Sequence, residues 1–217
     1  LAVIKTASRF FIKKARNQEP IPAHIISTLS EEIDGHVDRA AKIINHMREF
    51  GRKSDKRLDP ISVNEVLTKT SEIFSQQLKA RGIDLVWDLA DPLPPVRADA
   101  NRLEQVFINL LINARDAIEE RVQAQPHHKG EKKIYLTSRR RDSFVQVEVR
   151  DTGKGIPRAL IGKIFEPFFT TKEVGKGTGL GLSISYQIVQ DFGGTIRAQS
   201  REGEGSAFII SFPATTS

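Results

Sequence analysis

The sequence has 217 residues, of which 39% are hydrophobic and 28% charged, with a formal charge of +6 and no cysteine. This composition is typical of a globular protein with one or two domains. The missing cysteines exclude disulfides, thiolate metal sites and cysteine nucleophiles. No apolar run reaches the roughly 18 to 20 residues of a membrane helix, and the amphipathic N-terminus does not resemble a signal peptide. Acidic residues are interspersed with basic ones, so we expect a solvated basic surface and not a nucleic-acid interface.

The first 53 residues are predicted to form a helical hairpin. Apolar residues recur at steps of three and four through residues 1–16, in a stripe of Leu1, Ile4, Phe11 and Ala15 with Ser8. Two prolines in residues 17–22 indicate a turn. A second helix over residues 23–52 carries a seam of Ile33, Val37, Ala40, Ile44 and Met47. These narrow seams favour pairing with a second copy in a dimeric four-helix bundle, and docking on the chain's own C-terminal part is the alternative.

Residues 54–60 are predicted to be a linker, and residues 61–217 a second domain. Helical periodicity marks residues 63–81, 100–121 and 183–192, with Asp99 as the N-cap of the middle helix. Alternating residues mark five strands at 83–89, 133–139, 144–150, 195–200 and 207–212. The strand hairpins make a mixed sheet. The predicted class is therefore α+β, with a helical hairpin followed by a two-layer sandwich of a five-stranded sheet and three helices.

Two glycine clusters flank an aromatic and basic segment near the end of the chain. The three stretches are residues 151–157 (DTGKGIP), 164–172 (IFEPFFTTK) and 175–183 (GKGTGLGLS). Glycine amides approach anions closely, and a following helix N-terminus favours phosphate, so the second cluster is suited to phosphate binding. Asp151 repels phosphate and needs another role. No stretch has the Gly-x-x-x-x-Gly-Lys-Ser/Thr spacing of a Walker loop. The dinucleotide-binding fingerprint is also incomplete, because Leu182 stands where its third glycine belongs.

Three polar residues form one stripe on the long middle helix. Asn109, Asn113 and Asp116 lie at positions i, i+4 and i+7. Two amides and a carboxylate suit a hard cation such as Mg²⁺ that keeps most of its water and binds phosphate. The polar edge of an ordinary amphipathic helix gives the same pattern.

Four blocks in order resemble the N, G1, F and G2 boxes of the sensor histidine kinase ATP-binding domain, of the GHKL type shared with DNA gyrase B, MutL and heat-shock chaperone ATPases. The N box is residues 109–117 (NLLINARDA), and residues 203–208 (GEGSAF) add a further match. The resemblance covers residues 61–213, and residues 1–53 resemble part of the dimerisation and phosphotransfer hairpin. It implies a protein-histidine kinase of two-component signalling with ATP and Mg²⁺ as cofactors.

The resemblance also implies roles for individual residues. Asp151 accepts a hydrogen bond from the adenine amine, Gly153 and Gly155 make room for the base, and Ile156 flanks it. Asn113 is the implied Mg²⁺ ligand, with Asn109 and Asp116 assisting. Residues 170–178 are the implied lid. Phe165 and Phe168 are expected in the core. The remaining implied nucleotide contacts are Phe169, Lys172, Gly177, Thr178, Gly179, Leu180, Gly181, Leu182 and Ser206.

One position separates the branches of the superfamily. The gyrase-like and chaperone ATPases carry a glutamate where this chain has Asn109, and an amide cannot accept a proton at neutral pH. This favours a kinase over a gyrase-like ATPase, and a non-catalytic nucleotide-binding module is a further alternative. His24, His36 and His46 lack the acidic neighbour of the family's phosphoacceptor, so we expect the acceptor upstream of Leu1. Expected partners are a second copy and a response-regulator receiver domain, without nucleic acid or membrane contact, in the cytoplasm.

Overall fold

A computed structural model describes residues 2–51, 58–125, 130–172 and 177–215. The chain divides into two compact units. One unit comprises Leu1–Lys53 with Lys172–Gly177, and the other comprises Ser54–Thr171 with Thr178–Ser217.

The first unit is a helical hairpin of α1 (Ala2–Arg16) and α2 (Ala23–Gly51), as predicted. Its buried stripe differs from the predicted one, because Ala7 is buried while Ser8 and Ala15 are exposed. In α2, Val37 is half exposed in this single chain. The predicted seam residues Ala40, Ile44 and Met47 lie outside the described side chains.

The described residues of the second unit form three α-helices and a mixed five-stranded sheet, which confirms the predicted α+β class. The elements are α3 (Val63–Ala80), α4 (Ala100–Ala124), α5 (Gly181–Asp191), β1 (Asp59–Ile61), β2 (Asp84–Leu89), β3 (Val96–Ala98), β4 (Lys133–Arg141), β5 (Phe144–Asp151), β6 (Thr195–Arg201) and β7 (Gly205–Pro213). The strand order of the large sheet is β2-β4-β5-β7-β6, in which β2 and β4 are parallel and the other neighbours antiparallel.

The end of the predicted linker is a strand. Asp59 and Pro60 belong to β1, which pairs antiparallel with β3 in a small separate sheet. The Arg97 guanidinium donates a hydrogen bond to the Leu58 carbonyl at 3.1 Å, which holds the chain at the entrance to β1. Residues 52–57 lie outside the described part of the chain.

The core lies between the helices and one face of the large sheet. Alternate residues of β5, Val145, Val147 and Val149, are buried, and α4 contributes Leu103, Phe107 and Leu110. Burying a side chain of this size stabilises the fold by about 1.5–3 kcal/mol. Asp99 caps α4, since the Asn101 and Arg102 amides donate to its Oδ1 at 2.9 and 3.1 Å. This packing fixes the polar stripe of α4 near the end of β5.

Candidate functional site

Asp151 is a buried carboxylate at the last position of β5. Its residue is 4% exposed, and it lies opposite Ser206 of β7 in the sheet register. Burial raises the pKa of Asp151 from 3.8 to about 6, while hydrogen bonds from the Gly153 amide and from the Ser206 amide and hydroxyl act in the opposite direction. The Gly153 amide donates to Asp151 Oδ1 at 2.7 Å. The Gly153 amide therefore anchors one carboxylate oxygen, and Ser206 of β7 favours the ionised form.

The loop after Asp151 has no room for side chains at its glycines. A Cβ at Gly153 would lie 2.6 Å from both the Ala117 Cβ and Asp151 Oδ1. Gly155 has a φ of +71°, and a Cβ there would collide with the Arg201 carbonyl. The Lys154 amide donates to the Ala117 carbonyl at 3.0 Å. The loop therefore lies tightly between α4 and the β6–β7 turn, which explains why both positions are glycine.

The backbone of Ile156 is fixed by a residue that the sequence analysis missed. The Ile156 amide donates to Ser200 Oγ at 2.8 Å. Ser200 Oγ lies 2.7 Å from the Gly205 carbonyl and 3.2 Å from Ser206 Oγ. The sequence signal for Ser200 was a polar residue at a position where the alternation of the strand predicts an inward side chain. The structure places it in register with Ser206.

The three residues of the polar stripe differ in their contacts. Asn109 donates from Nδ2 to the Gly181 carbonyl at 3.1 Å and to Ser185 Oγ at 3.2 Å, which ties α4 to the start of α5. The Asp116 carboxylate accepts hydrogen bonds from its neighbour Arg115 at 2.6 and 2.9 Å. The half-buried Asn113 side chain makes no hydrogen bond to another described residue. An amide oxygen is a ligand that Mg²⁺ accepts, so the Asn113 side chain is compatible with the role that the resemblance implies for it.

The second glycine cluster leads directly into α5. Gly179 has a φ of +67°, and a Cβ there would lie 2.6 Å from the Phe168 carbonyl oxygen. Helix α5 starts at Gly181, and the preceding Leu180 provides no side-chain cap. The amides of the first turn of a helix have no partner within that helix and suit an anion. Leu180 itself is buried and Leu182 half-buried, while Thr178 Oγ1 accepts a 3.4 Å hydrogen bond from the Leu180 amide.

The aromatic segment corrects one prediction. Phe168 was expected in the core but is 60% exposed, because its backbone, with a φ of +67°, and not its ring packs against Gly179. The Phe165 ring is half-buried, 5.6 Å from the ring centroid of Tyr186, and Phe169 is half-buried. Of the remaining predicted contacts, Lys172 and Gly177 group with the first unit. Part of the predicted lid, residues 173–176, lies outside the described residues.

Comparison with protein families identifies the class to which this site belongs. Residues 98–216 match the family of histidine kinase-, DNA gyrase B-, and HSP90-like ATPases. The chain belongs to this family, and its second unit is an ATP-binding domain of the sensor histidine kinase type.

Individual relatives agree with this assignment. The sensor kinase CckA of Brucella abortus is 40% identical over 187 residues, covering 83% of this chain and 20% of CckA. The sensor histidine kinase ZraS of Escherichia coli K12 is 32% identical over 213 residues, covering 98% of this chain and 42% of ZraS. The chain therefore spans less than half the length of these curated relatives.

Two solved structures of the histidine kinase ThkA are similar in fold. Its nucleotide-free catalytic domain has 36% identity and a TM-score of 0.61, covering 74% of this chain and 97% of that domain. ThkA in complex with the response regulator TrrA has 29% identity and a TM-score of 0.68, covering 98% of this chain and 58% of ThkA. Among the described residues, no helix has the length and hydropathy required to span a bilayer.

Proposed function

We propose that this chain binds ATP through Asp151 and supplies the ATP-binding core of a two-component sensor histidine kinase. The buried carboxylate, fixed by Gly153 and Ser206, carries the proposal. An adenine amine donates to this carboxylate, whereas guanine would present a carbonyl oxygen to it. Loss of a charge-assisted hydrogen bond of about 1.5–3 kcal/mol corresponds to a preference for ATP over GTP of roughly ten- to a hundredfold. Gly153 and Gly155 leave space for the base, and Ile156 and Phe169 flank it.

The phosphates are proposed to lie at the start of α5. Its uncapped first turn supports this position, together with the backbone conformation of Gly179. The amides of Gly177, Gly179 and Gly181 would bind phosphate oxygens. Asn113, assisted by Asp116, would hold Mg²⁺, which neutralises phosphate charge when bound. The further contacts proposed are Asn109, Lys172, Thr178, Leu180, Leu182 and Ser206.

We propose that the nucleotide serves phosphoryl transfer and not hydrolysis. Asn109 cannot accept a proton from water, and its amide group is already bonded to α5. In the transfer step, a histidine nitrogen forms a bond to the γ-phosphorus while the bond to the β–γ bridging oxygen breaks. ADP leaves, and the histidine loses its ring proton. The acceptor is proposed to be none of His24, His36 or His46.

The phosphoryl group would then pass from histidine to an aspartate of a response-regulator receiver domain. The similarity to ThkA, solved in complex with the response regulator TrrA, supports this partner. We further propose that the helical hairpin pairs with a second copy in a four-helix bundle and that the chain works in the cytoplasm. Exposed apolar side chains on the hairpin, Ile12, Ile26 and Val37, support the pairing.

Two measurements test the proposed function. Calorimetry with ATP and Mg²⁺ should give a binding signal that Asp151→Asn weakens, and an unchanged affinity would remove Asp151 from the pocket. The chain should also transfer label from γ-labelled ATP to a separately supplied family helix that bears the acceptor histidine. Acid-labile label on this chain alone would contradict the proposed acceptor. Rapid phosphate release would favour the gyrase-like ATPase, and binding without transfer would favour a non-catalytic module.

A further inference from the structure

Ser200 is a hydroxyl residue on the inward face of β6, where the other members of its row are Ile196 and Ala198. It lies in register with Ser206, the residue that hydrogen-bonds to Asp151. A polar group on the covered face of a sheet is retained when it makes hydrogen bonds that an apolar residue could not make. The contacts of Ser200 therefore point to its role.

Those contacts connect the Ile156 backbone to β7 and, in one orientation of the Ser200 hydroxyl, to Asp151. The Ile156 amide donates to Ser200 Oγ at 2.8 Å, so one lone pair of the hydroxyl is used. The single proton of Ser200 can point to the Gly205 carbonyl at 2.7 Å or to Ser206 Oγ at 3.2 Å. The Ser206 hydroxyl in turn donates to Asp151. With the Ser200 proton on Ser206 Oγ, the donors run from Ile156 to the carboxylate. With that proton on the Gly205 carbonyl, Ser200 joins the Ile156 backbone to the backbone next to Ser206.

We propose that Ser200 is a positioning residue of the nucleotide pocket, which fixes the Ile156 backbone and the Ser206 hydroxyl relative to Asp151. The inference rests on the proposed function of the site. Without the Ser200 hydroxyl, the Ile156 amide loses its acceptor, and the backbone that flanks the base is no longer tied to the strand pair β6–β7. The distance between the Ile156 wall and the carboxylate is then less defined, and the adenine contact weakens.

The groups around Asp151 predict how its titration responds. From α4 the charge of Arg121 lowers the pKa of Asp151, and Ile134 of β4, its register partner, is uncharged. Lys154 in the adjoining loop is paired with Glu120 of α4 at 2.5 Å. Ser206 of β7 contributes the hydroxyl donor. A less ordered Ser206 hydroxyl stabilises the carboxylate less, so the pKa of Asp151 rises further when Ser200 is removed.

The test compares five variants of the chain, four at serine positions and Asp151→Asn, by calorimetry with ATP and with GTP. Ser200→Ala should weaken ATP binding about fivefold, as expected for one lost hydrogen bond, and should narrow the preference for ATP over GTP. Ser200→Thr keeps the hydroxyl and should restore both quantities. Ser200→Cys, nearly the same size but a weaker donor and acceptor, should behave like alanine. Ser211→Ala is the matched control. Ser211 accepts a 3.4 Å hydrogen bond from Gln146, and the alternation of β5 and β7 places this pair on the face of the sheet opposite to Ser200.

The pH profile separates a positioning role from a loss of stability. In Ser200→Ala the pH below which ATP affinity falls should move upward, an effect that a loss of stability alone does not produce. The unpaired Ile156 amide should also lower the melting temperature more than Ser211→Ala does. The inference is overturned if Ser200→Ala and Ser200→Cys bind ATP like the unmodified chain while Asp151→Asn binds weakly. If Asp151→Asn also binds ATP normally, the proposed pocket itself is wrong, and this outcome is distinct.

Discussion

At the scale of single residues, Asp151 combines burial with a charge. Its pKa in the folded chain, about 6, lies above the value of 3.8 for the exposed group. The folded state therefore binds the proton more tightly than the unfolded state does. This residue lowers the free energy of unfolding as the pH rises from about 4 to about 6, and the loss is complete above that range. The shift corresponds to roughly 3 kcal/mol at neutral pH, a strain typical of functional sites.

Replacement of the Asp151 charge should change stability and ATP affinity in opposite directions. Asp151→Asn removes the buried charge, so the melting temperature at pH 7.5 should rise. The gain stays below about 3 kcal/mol, because the amide NH₂ cannot accept hydrogen bonds from Ser206. ATP affinity should fall ten- to a hundredfold with the lost charge-assisted hydrogen bond. Thermal unfolding and calorimetry on the same sample measure both quantities, and a variant that loses stability together with affinity would contradict the account.

The titration of Asp151 should also appear in nucleotide binding. In the proposed pocket adenine donates to the carboxylate form, so ATP affinity should decrease as the pH falls through about 6 and the group takes up a proton. Phosphate groups and free adenine titrate too, and Asp151→Asn serves as the control for their contribution. Calorimetry between pH 5 and pH 8 should show a steeper decrease in the unmodified chain than in the variant. Parallel curves would show that Asp151 does not titrate in this range.

At the scale of elements, the junction between the aromatic segment and α5 depends on close backbone approach. Gly179 has a positive φ and lies against the Phe168 backbone. Gly82, in the turn after α3, has a nearly equal φ of +65°, but a Cβ added there would meet nothing within 4 Å. An alanine at either position would be strained by the left-handed conformation, but only at Gly179 would its Cβ also collide with neighbouring backbone.

This pair gives a controlled prediction. Gly179→Ala should displace the Phe168 backbone and weaken ATP binding by more than tenfold, because the start of α5 moves with it. Gly82→Ala should lower the free energy of unfolding by about 1–2 kcal/mol and leave ATP affinity unchanged. Calorimetry and denaturant unfolding of both variants test this. If the two variants bind ATP with equal affinity, Gly179 does not contribute to the proposed phosphate-binding end of the site.

The elements also show what sequence reasoning can reach. The five sheet strands and three helices of the second unit follow from periodic burial, since each is long enough to repeat its pattern. Strands β1 and β3 were missed, because three residues carry no period. Phe168 was misplaced because its backbone has a positive φ and packs against Gly179, a tertiary contact that the local pattern does not reveal. Ser200 was missed since its partners, Ile156 and Ser206, are brought together by the loop and strand pairing.

At the scale of the whole molecule, the chain divides into two compact units. The proposed base-binding residues Asp151, Gly153 and Ser206 all belong to the second unit, whose helices pack on its own sheet. A shortened chain that begins at Ser54 should therefore fold, and its affinity for ATP should lie within about a factor of two of the affinity of the 217-residue chain. Calorimetry on both proteins tests this, with Asp151→Asn in the shortened chain as control. A tenfold loss would mean that residues 1–53 contribute to nucleotide binding.

The tight fit of the loop after Asp151 between α4 and the β6–β7 turn has a consequence for turnover. Its backbone is bonded on one side to Ala117 and on the other to Gly203, whose amide donates to the Lys154 carbonyl at 2.7 Å. ADP and ATP carry the same purine, so both can occupy the proposed base pocket beside this loop. If the proposed function holds, ADP should therefore compete with ATP for the pocket, and nucleotide occupancy would depend on the ratio of ATP to ADP.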